Sequence, residues 1–339
     1  MLVGERMKLT KDDVIVLPVP LFHCFGCSLG NMAALNQGAC MVYPSESWNL
    51  TATLEAIDKY NGTTIYGVPI IMNEIMNEHQ NNPGKYKLSN LRKGLAGGTT
   101  IAPALMEKIY NFGITGFVQG FGQTESSPAV VISDPEDTLH NKMHYAGRPL
   151  PHTEIKIVDN DGNTVPFGTQ GEVWVRGYMV MKGYLDNPEG TNQVMTSDGW
   201  LKTGDLGVLN SEGYLKIVGR KKDLIIRGGE NIYPREIEDF LAKVHPNIQE
   251  VQVFGVPDER MDEEVCAWIK LKDKTKPLKK EDILQVMKDQ ISYYKIPKYV
   301  KFVDDIPMTG SGKALKHVMR EAMIPEIVNP ETAKEYTLR

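Results

Sequence analysis

Two glycine-rich stretches carry the residues of this 339-residue chain best suited to chemistry: Gly97-Gly98-Thr99-Thr100 and Gly120-Phe121-Gly122-Gln123-Thr124-Glu125. Each follows a short apolar run. Glycines there let backbone N–H groups come close to an anion. Thr124 adds a hydroxyl donor, and Glu125 offers a hard oxygen ligand for a cation such as Mg²⁺. Tight turns with polar caps need the same residue types, so these stretches alone leave the choice open. Near the other end, Met308-Thr309-Gly310-Ser311-Gly312-Lys313-Ala314 gives Lys313 a glycine-rich, exposed mounting. It is not a Walker loop, because Pro307 and Ala314 stand where that pattern requires Gly and Ser/Thr. Asp205, in Thr203-Gly204-Asp205-Leu206-Gly207, reads as a turn residue in a short acidic loop, with a ligand hydroxyl as the rival use.

Other candidate groups are weaker. Cys24-Phe25-Gly26-Cys27 has C-x-x-C spacing, which fits redox chemistry or half of a zinc site. No second pair completes a structural zinc site, and His23 alone is not enough. The four cysteines, Cys24, Cys27, Cys40 and Cys266, are therefore expected to be buried reduced thiols. His140 and His144 lie four apart with no third ligand, and read as a surface pair.

The elements that must position these residues change in texture along the chain. From Asp12 to about Tyr145, apolar β-branched runs alternate with helical stretches. Val14–Val19, Ala39–Tyr43, Thr63–Tyr66, Leu91–Ala96 and Thr115–Gln119 read as strands. Phe22–Gln37 reads as a buried helix, and Leu50–Tyr60, Pro69–Glu78 and Pro103–Asn111 as further helices. This alternation predicts an α/β fold with a largely parallel sheet covered on both faces. Ligands of such sheets bind beyond the carboxyl ends of the strands, where both glycine-rich turns fall. From about Gly147 to Val218 the pattern becomes all-β, with hairpin turns at Asp159–Gly162 and Asn210–Gly213. Gly219–Glu238 then packs a charged run, a short strand, paired glycines and a Pro234-initiated helix into twenty residues. That density predicts a junction between two domains that can move. A small α/β unit follows, and beyond Ile324 no clear periodicity remains, so a loose tail is expected.

Bulk properties exclude some functions. A formal net charge of −5 argues against nucleic acid or an anionic membrane as the main partner. No apolar run approaches the length needed to span a bilayer. The amino terminus has neither the apolar core of a secretory signal nor the Arg/Ser-rich look of an organelle presequence.

Taken in order, seven stretches resemble the motifs of the adenylate-forming superfamily of acyl-CoA synthetases, luciferases and peptide-synthetase adenylation domains. They are Pro20-Leu21-Phe22-His23, the Gly97-Gly98 turn, Gly120–Glu125, Thr203-Gly204-Asp205, Gly219-Arg220, Gly228-Gly229-Glu230-Asn231 and the Gly312-Lys313 loop. Any one is common; seven in order over almost the whole chain are specific. The wording of residues 217–240 and 291–303 looks like that of mitochondrial medium-chain acyl-CoA synthetases.

The resemblance implies ATP-dependent joining of a fatty acid to coenzyme A through an acyl-adenylate, with Mg²⁺ and a mitochondrial setting. It implies that Lys313 is a mobile cation bridging acyl carboxylate and phosphate, that Glu125 holds Mg²⁺, and that Thr124 contacts phosphate. Phe121 would stack on adenine beside Gly98, although a core aromatic would look the same. Asp205 and Arg220 would bind ribose. His23 would line the acyl channel, unless it is an ordinary packed histidine, and Gly122 would border the substrate. Lys222 would sit at a hinge, and Gly228-Gly229 would let the pantetheine arm of coenzyme A pass. The implied architecture is an incomplete large domain at residues 1–219, with a β-rich subdomain at 147–218. A hinge at 220–223, a small α+β lid at 224–323 and a tail at 324–339 would complete it.

One family motif has no match. The Ser/Thr/Gly-rich phosphate loop, with its lysine, should lie tens of residues before Pro20. The sequence is therefore expected to be the carboxy-terminal portion of an acyl-CoA synthetase, with little adenylation of its own. The alternative expectation is a non-catalytic remnant that binds nucleotide or partner proteins.

Overall fold

In the computed structural model, which describes residues 1–98, 101–309 and 313–338, the chain divides into two compact units, Met1–Ile217 and Val218–Arg339. Thr99, Thr100, Gly310, Ser311 and Gly312, which the motifs above include, lie outside the described residues. The fold class is α/β, as expected.

The first unit contains a seven-stranded sheet built from β1 (Val14–Val16), β2 (Cys40–Val42), β3 (Thr64–Tyr66), β4 (Lys93–Ala96), β5 (Gly116–Phe121), β6 (Val131–Ile132) and β7 (Arg148–Pro149). Its spatial order is β2-β1-β3-β4-β5-β6-β7. The first five strands pair parallel, and β6 and β7 continue the sheet antiparallel. Helices Leu50–Lys59, Pro69–Asn81 and Pro103–Phe112 bury Leu54 and Ile57, Met72 and Ile75, and Met106 and Ile109 in the core of this sheet. Those residues recur three or four apart, the spacing that gathers apolar side chains on one helical face. Each contributes about 1.5–3 kcal/mol when fully buried. Asn49 caps the first helix, its side chain accepting from the Ala52 N–H, and Pro69 and Pro103 occupy the first turns of the other two.

Phe22–Gln37 is not a plain α-helix. Residues Phe25–Met32 form a π-helix that passes into a short α-helix, Ala33–Gln37. The segment is closely packed: a Cβ on Gly26 would stand 2.5 Å from the Pro20 carbonyl oxygen, and one on Gly30 2.9 Å from Leu17. Cys24 is half-buried while Cys27 and Cys40 are exposed, so the expectation of buried thiols holds for Cys266 alone. The C-x-x-C pair faces outward because Phe25 and Gly26, between its two thiols, take the inward positions.

The β-rich part is a four-stranded sheet of β8 (Thr153–Val158), β9 (Gln170–Gly177), β10 (Leu201–Leu209) and β11 (Leu215–Arg220), ordered β11-β10-β9-β8. The expected acidic loop at Thr203–Gly207 is instead part of β10. The strand runs unbroken through it, with a register shift between Lys202 and Leu206 against β9. Gly204, at φ +70°, supplies the left-handed residue that such a bulge uses.

The second unit has its own sheet of β12 (Ile225–Arg227), β13 (Glu230–Ile232), β14 (Ile248–Asp258), β15 (Asp262–Leu271) and β16 (Tyr299–Val303). Alternate residues of β14 and β15 supply two cores. Val251, Val253, Val265, Ala267 and Ile269 join Ile237 and Leu241 of helix Pro234–Val244. Phe254, Val256, Cys266 and Trp268 join Met319 and Met323 of helix Lys316–Val328. The tail is not loose, as the sequence had suggested. Met319, Met323 and Ile327 form an i, i+4, i+8 row that starts before residue 324, and helix Pro330–Tyr336 follows. The Leu338 N–H then donates to the Lys298 carbonyl at 2.8 Å.

Candidate adenylate-forming site

The parallel pairing of β1, β3, β4 and β5 brings their carboxyl ends to one edge of the sheet. The order β2-β1-β3 makes β1 and β3 a topological switch point, where such sheets open a crevice for ligands. Four of the loops leaving that edge are Leu17–His23 after β1, Gly67-Val68 after β3, Gly97-Gly98 after β4 and Gly122–Glu125 after β5. The edge therefore collects His23, Gly98, Phe121, Gly122, Thr124 and Glu125 from sequence positions 102 residues apart at their extremes (125 − 23).

Contact between the first and last of these loops is direct. Thr124 Oγ1 lies 3.5 Å from Cys24 Sγ, and Cys24 Sγ lies 3.9 Å from His23 Nδ1. The Phe25 N–H donates to that same ring nitrogen at 3.0 Å, which fixes His23 Nδ1 as an acceptor. Gly122 allows the return of the chain, since a Cβ there would stand 1.7 Å from the Pro128 carbonyl oxygen. Thr124–Ser126 is a single 3₁₀ turn. The Gln123 N–H donates to Ser126 Oγ at 3.0 Å, and that hydroxyl donates to the Gln123 carbonyl at 2.9 Å. The turn is thereby held without using the side chain of Thr124, which is exposed. Gly98 adopts φ +83°, and the backbone at Gly97 lies near the Gly120 carbonyl.

Glu125 is held by a segment that the sequence did not single out. The Met181 N–H donates to the Glu125 carbonyl, and the Tyr184 hydroxyl donates to Glu125 Oε1, both at 2.8 Å. Burial first, and then this bond to the carboxylate, raise the Tyr184 pKa. The contact spans 59 residues, and nothing in local spacing announces it. Glu125 remains half-buried with one oxygen committed, a donor set that fits a hard cation completed by water and phosphate oxygens. Among the described residues no group of three or more His, Cys, Asp or Glu side chains could hold a metal.

Phe121 is half-buried and packs against the core of the β-rich part, which contains Val130, Val173 and Leu215. Asp205 sits in the β10 bulge at 6% exposure. Its N–H donates to Thr203 Oγ1 at 3.1 Å, and that hydroxyl donates to the Val173 carbonyl at 2.7 Å. His140 and His144 are neighbours on helix Leu139–His144, with ring centroids 4.6 Å apart.

The second unit holds the remaining candidates. Arg220, at the end of β11, and Lys222, in the 3₁₀ turn Lys221–Asp223, are exposed. Gly228 and Gly229, at φ +56° and +85°, form the two-residue turn between β12 and β13, with Arg227 opposite Glu230. Two successive positive φ values are what a type I′ hairpin turn requires, so the glycine pair has a conformational cause of its own. A Cβ on Gly228 would also stand 2.5 Å from Met261 Cε. Lys313 is exposed; its N–H donates to Thr309 Oγ1 at 3.0 Å and its carbonyl accepts from the Thr309 N–H at 2.8 Å. The ends of the lysine loop are thus tied together.

The same arrangement recurs in known proteins. Residues 1–185 match the AMP-binding enzyme family, and residues 236–313 match the AMP-binding enzyme C-terminal domain. The chain is 43% identical over 324 residues to the Bacillus subtilis (strain 168) protein YngI, an acyl-CoA synthetase by name, covering 95% of this chain and 58% of that one. It is 43% identical over 329 residues to the mitochondrial medium-chain acyl-CoA ligase ACSF2 of Mus musculus, covering 95% of this chain and 53% of that one. Among solved structures, o-succinylbenzoate CoA synthetase (MenE) from Bacillus subtilis, in complex with its acyl-adenylate intermediate, superimposes with a TM-score of 0.81 at 31% identity, covering 94% of this chain and 63% of that one. The chain thus spans little more than half the length of the curated relatives it matches. With the first family model covering more than half of its residues and the second found in family order after it, the chain belongs to the AMP-binding enzymes.

Proposed function

We propose that this protein takes part in ATP-dependent ligation of a fatty acid to coenzyme A, through an acyl-adenylate, releasing AMP and pyrophosphate. The observation that carries this reading is the meeting of two loops at one sheet edge, with Thr124 Oγ1 3.5 Å from Cys24 Sγ beside His23. A carboxylate is a poor electrophile. Joining it to the α-phosphate of ATP gathers negative charge at phosphorus, so catalysis there is positioning plus cationic stabilisation.

On this reading Thr124 donates to phosphate and Lys313 supplies positive charge to carboxylate and phosphate. Glu125, steadied by Tyr184, would hold Mg²⁺, which when bound neutralises phosphate charge. Gly98 and Phe121 would flank adenine, Asp205 and Arg220 would take the ribose hydroxyls, and His23 and Gly122 would border the acyl group. Gly228 and Gly229 would line the path of coenzyme A. A medium-chain acid and a mitochondrial setting are supported by the name of the mouse relative, while the bacterial relative of equal identity supports only the acyl-CoA synthetase class.

Acyl-dependent exchange of pyrophosphate into ATP tests the reading. Weak exchange by residues 1–339 is the expected result, falling roughly 10²–10³-fold further in Lys313→Ala, the usual cost of removing a charge-stabilising group. Nucleotide binding without exchange would favour the alternative, a chain that binds nucleotide and turns nothing over.

A further inference from the structure

The outward-facing Cys24 and Cys27 have no part in the ligation chemistry, yet their setting is specific. The Cys27 N–H donates to the His23 carbonyl at 3.0 Å, closing a helical turn around the pair. Phe25 stacks on Tyr66, with centroids 5.9 Å apart, and Gly26 abuts the Pro20 carbonyl, so the two intervening residues are pinned inward. The bond from Cys27 to His23 is the i+4 bond of an α-type turn, on which Cα atoms three residues apart lie about 5 Å from each other by helix geometry, inside the Cα span a disulfide bridges. Cys24 Sγ also has a hydroxyl within reach: Thr124 Oγ1, 3.5 Å away, can donate to its thiolate.

We propose that Cys24 and Cys27 form a reversible dithiol–disulfide modification site at the edge that holds Thr124. The oxidant is a small-molecule disulfide of the glutathione class. Cys24 thiolate attacks one of its sulfurs and expels a glutathione thiolate, which takes up a proton. Cys27 then attacks the mixed disulfide at Cys24 and expels the second thiolate. Two protein thiols lose two electrons and two protons, the glutathione disulfide gains them, and one S–S bond forms. Closing the bond draws Cys24 Sγ toward Cys27 and takes from Thr124 its sulfur neighbour. The effect on ligand binding rests on the proposed phosphate-contacting role of Thr124; the disulfide itself does not.

The experiment equilibrates the folded chain in glutathione buffers of graded ratio, quenches with acid, alkylates free thiols and maps peptides by mass spectrometry. The expected product is an intramolecular Cys24–Cys27 disulfide, reversed by dithiothreitol, with Cys40 carrying at most a single glutathione adduct. In Cys27→Ser, Cys24 should stop at the mixed disulfide. Cys27→Ala gives the same readout if the serine variant fails to fold. Thr124→Val should slow alkylation of Cys24 severalfold and leave Cys40 unchanged. Separate glutathione adducts on Cys24 and Cys27, without the internal bond at any ratio, would overturn the proposal. If the bond forms but ATP fails to protect Cys24 from alkylation, the assignment of Thr124 falls and the modification site stands.

Discussion

At the scale of single residues, Glu125 and Tyr184 give the most direct test of the cation assignment. A carboxylate oriented by a neutral hydroxyl presents its free oxygen in a fixed direction, and groups that orient a ligand are commonly worth 10–100-fold in metal affinity. Tyr184→Phe is therefore expected to raise the Mg²⁺ concentration needed for half-maximal ATP binding about tenfold, measured by calorimetric titration, without altering the far-ultraviolet circular dichroism. Unchanged Mg²⁺ dependence would separate Tyr184 from the cation. Thr124, Glu125 and Asp205 were legible as candidates because glycines flank them. Tyr184 was not, because its partnership depends on a fold that brings together two positions 59 residues apart. The thiols were misjudged for a related reason. Cysteine type favours burial on average, but the side on which Cys24 and Cys27 emerge is decided by where Phe25 and Gly26 pack.

At the scale of elements, period and punctuation sufficed for most of the parallel sheet and its helices. Pro69, Pro103 and Pro234 marked helix starts that the structure keeps. What escaped was structure that crosses its own punctuation. Strand β10 continues through Gly204 because a bulge absorbs the glycine. The last helices escape notice because Pro325, Asn329 and Pro330 look like breakers while the Met319–Met323–Ile327 row still packs. Strand β16 gave no alternating signal of its own, and it joins the sheet only by pairing parallel to β15. The 3₁₀ turn Lys221–Asp223 is the element proposed as a hinge. A proline at Lys222 fixes φ near −65° and removes an N–H, restricting the backbone there. Lys222→Pro should thus impair thioester formation several times more than pyrophosphate exchange, with the two half-reactions assayed separately. Equal loss of both would remove the hinge from the scheme.

At the scale of the whole molecule, each unit carries its own core, and the first is tied together by a buried carboxylate. Asp13 is fully buried and accepts from Lys93 Nζ and Arg92 Nη2 at 2.8 Å, from Thr63 Oγ1 at 2.9 Å and from the Thr10 N–H at 2.9 Å. Burial pushes its carboxyl up, but the hydrogen bonds from Lys93, Thr10 and Thr63 outweigh this and hold it below its ordinary value. A carboxyl depressed on folding contributes stability that is present above its unfolded value, near pH 4, and is lost as pH falls through the folded value. Acid unfolding followed by circular dichroism should therefore steepen below about pH 4, and Asp13→Asn should flatten that dependence. At neutral pH the same variant should be less stable by about 3–5 kcal/mol, because Lys93 loses its buried partner.

Lys142 adds a consequence of another kind. It is 1% exposed, and its Nζ donates at 2.6 Å to the carbonyls of Thr115 and Pro135, while its own carbonyl accepts from Gln119 Nε2. Burial lowers its pKa, against the opposing pull of Asp137 and Asp134. A trypsin-like protease must draw a lysine side chain into its own acidic pocket, which this one cannot enter while two backbone carbonyls hold it. The bond after Lys142 is thus closed to digestion in the folded chain and opens only when the segment between β5 and β7 comes apart. That single peptide bond makes the protein its own gauge of how often the segment between β5 and β7 opens.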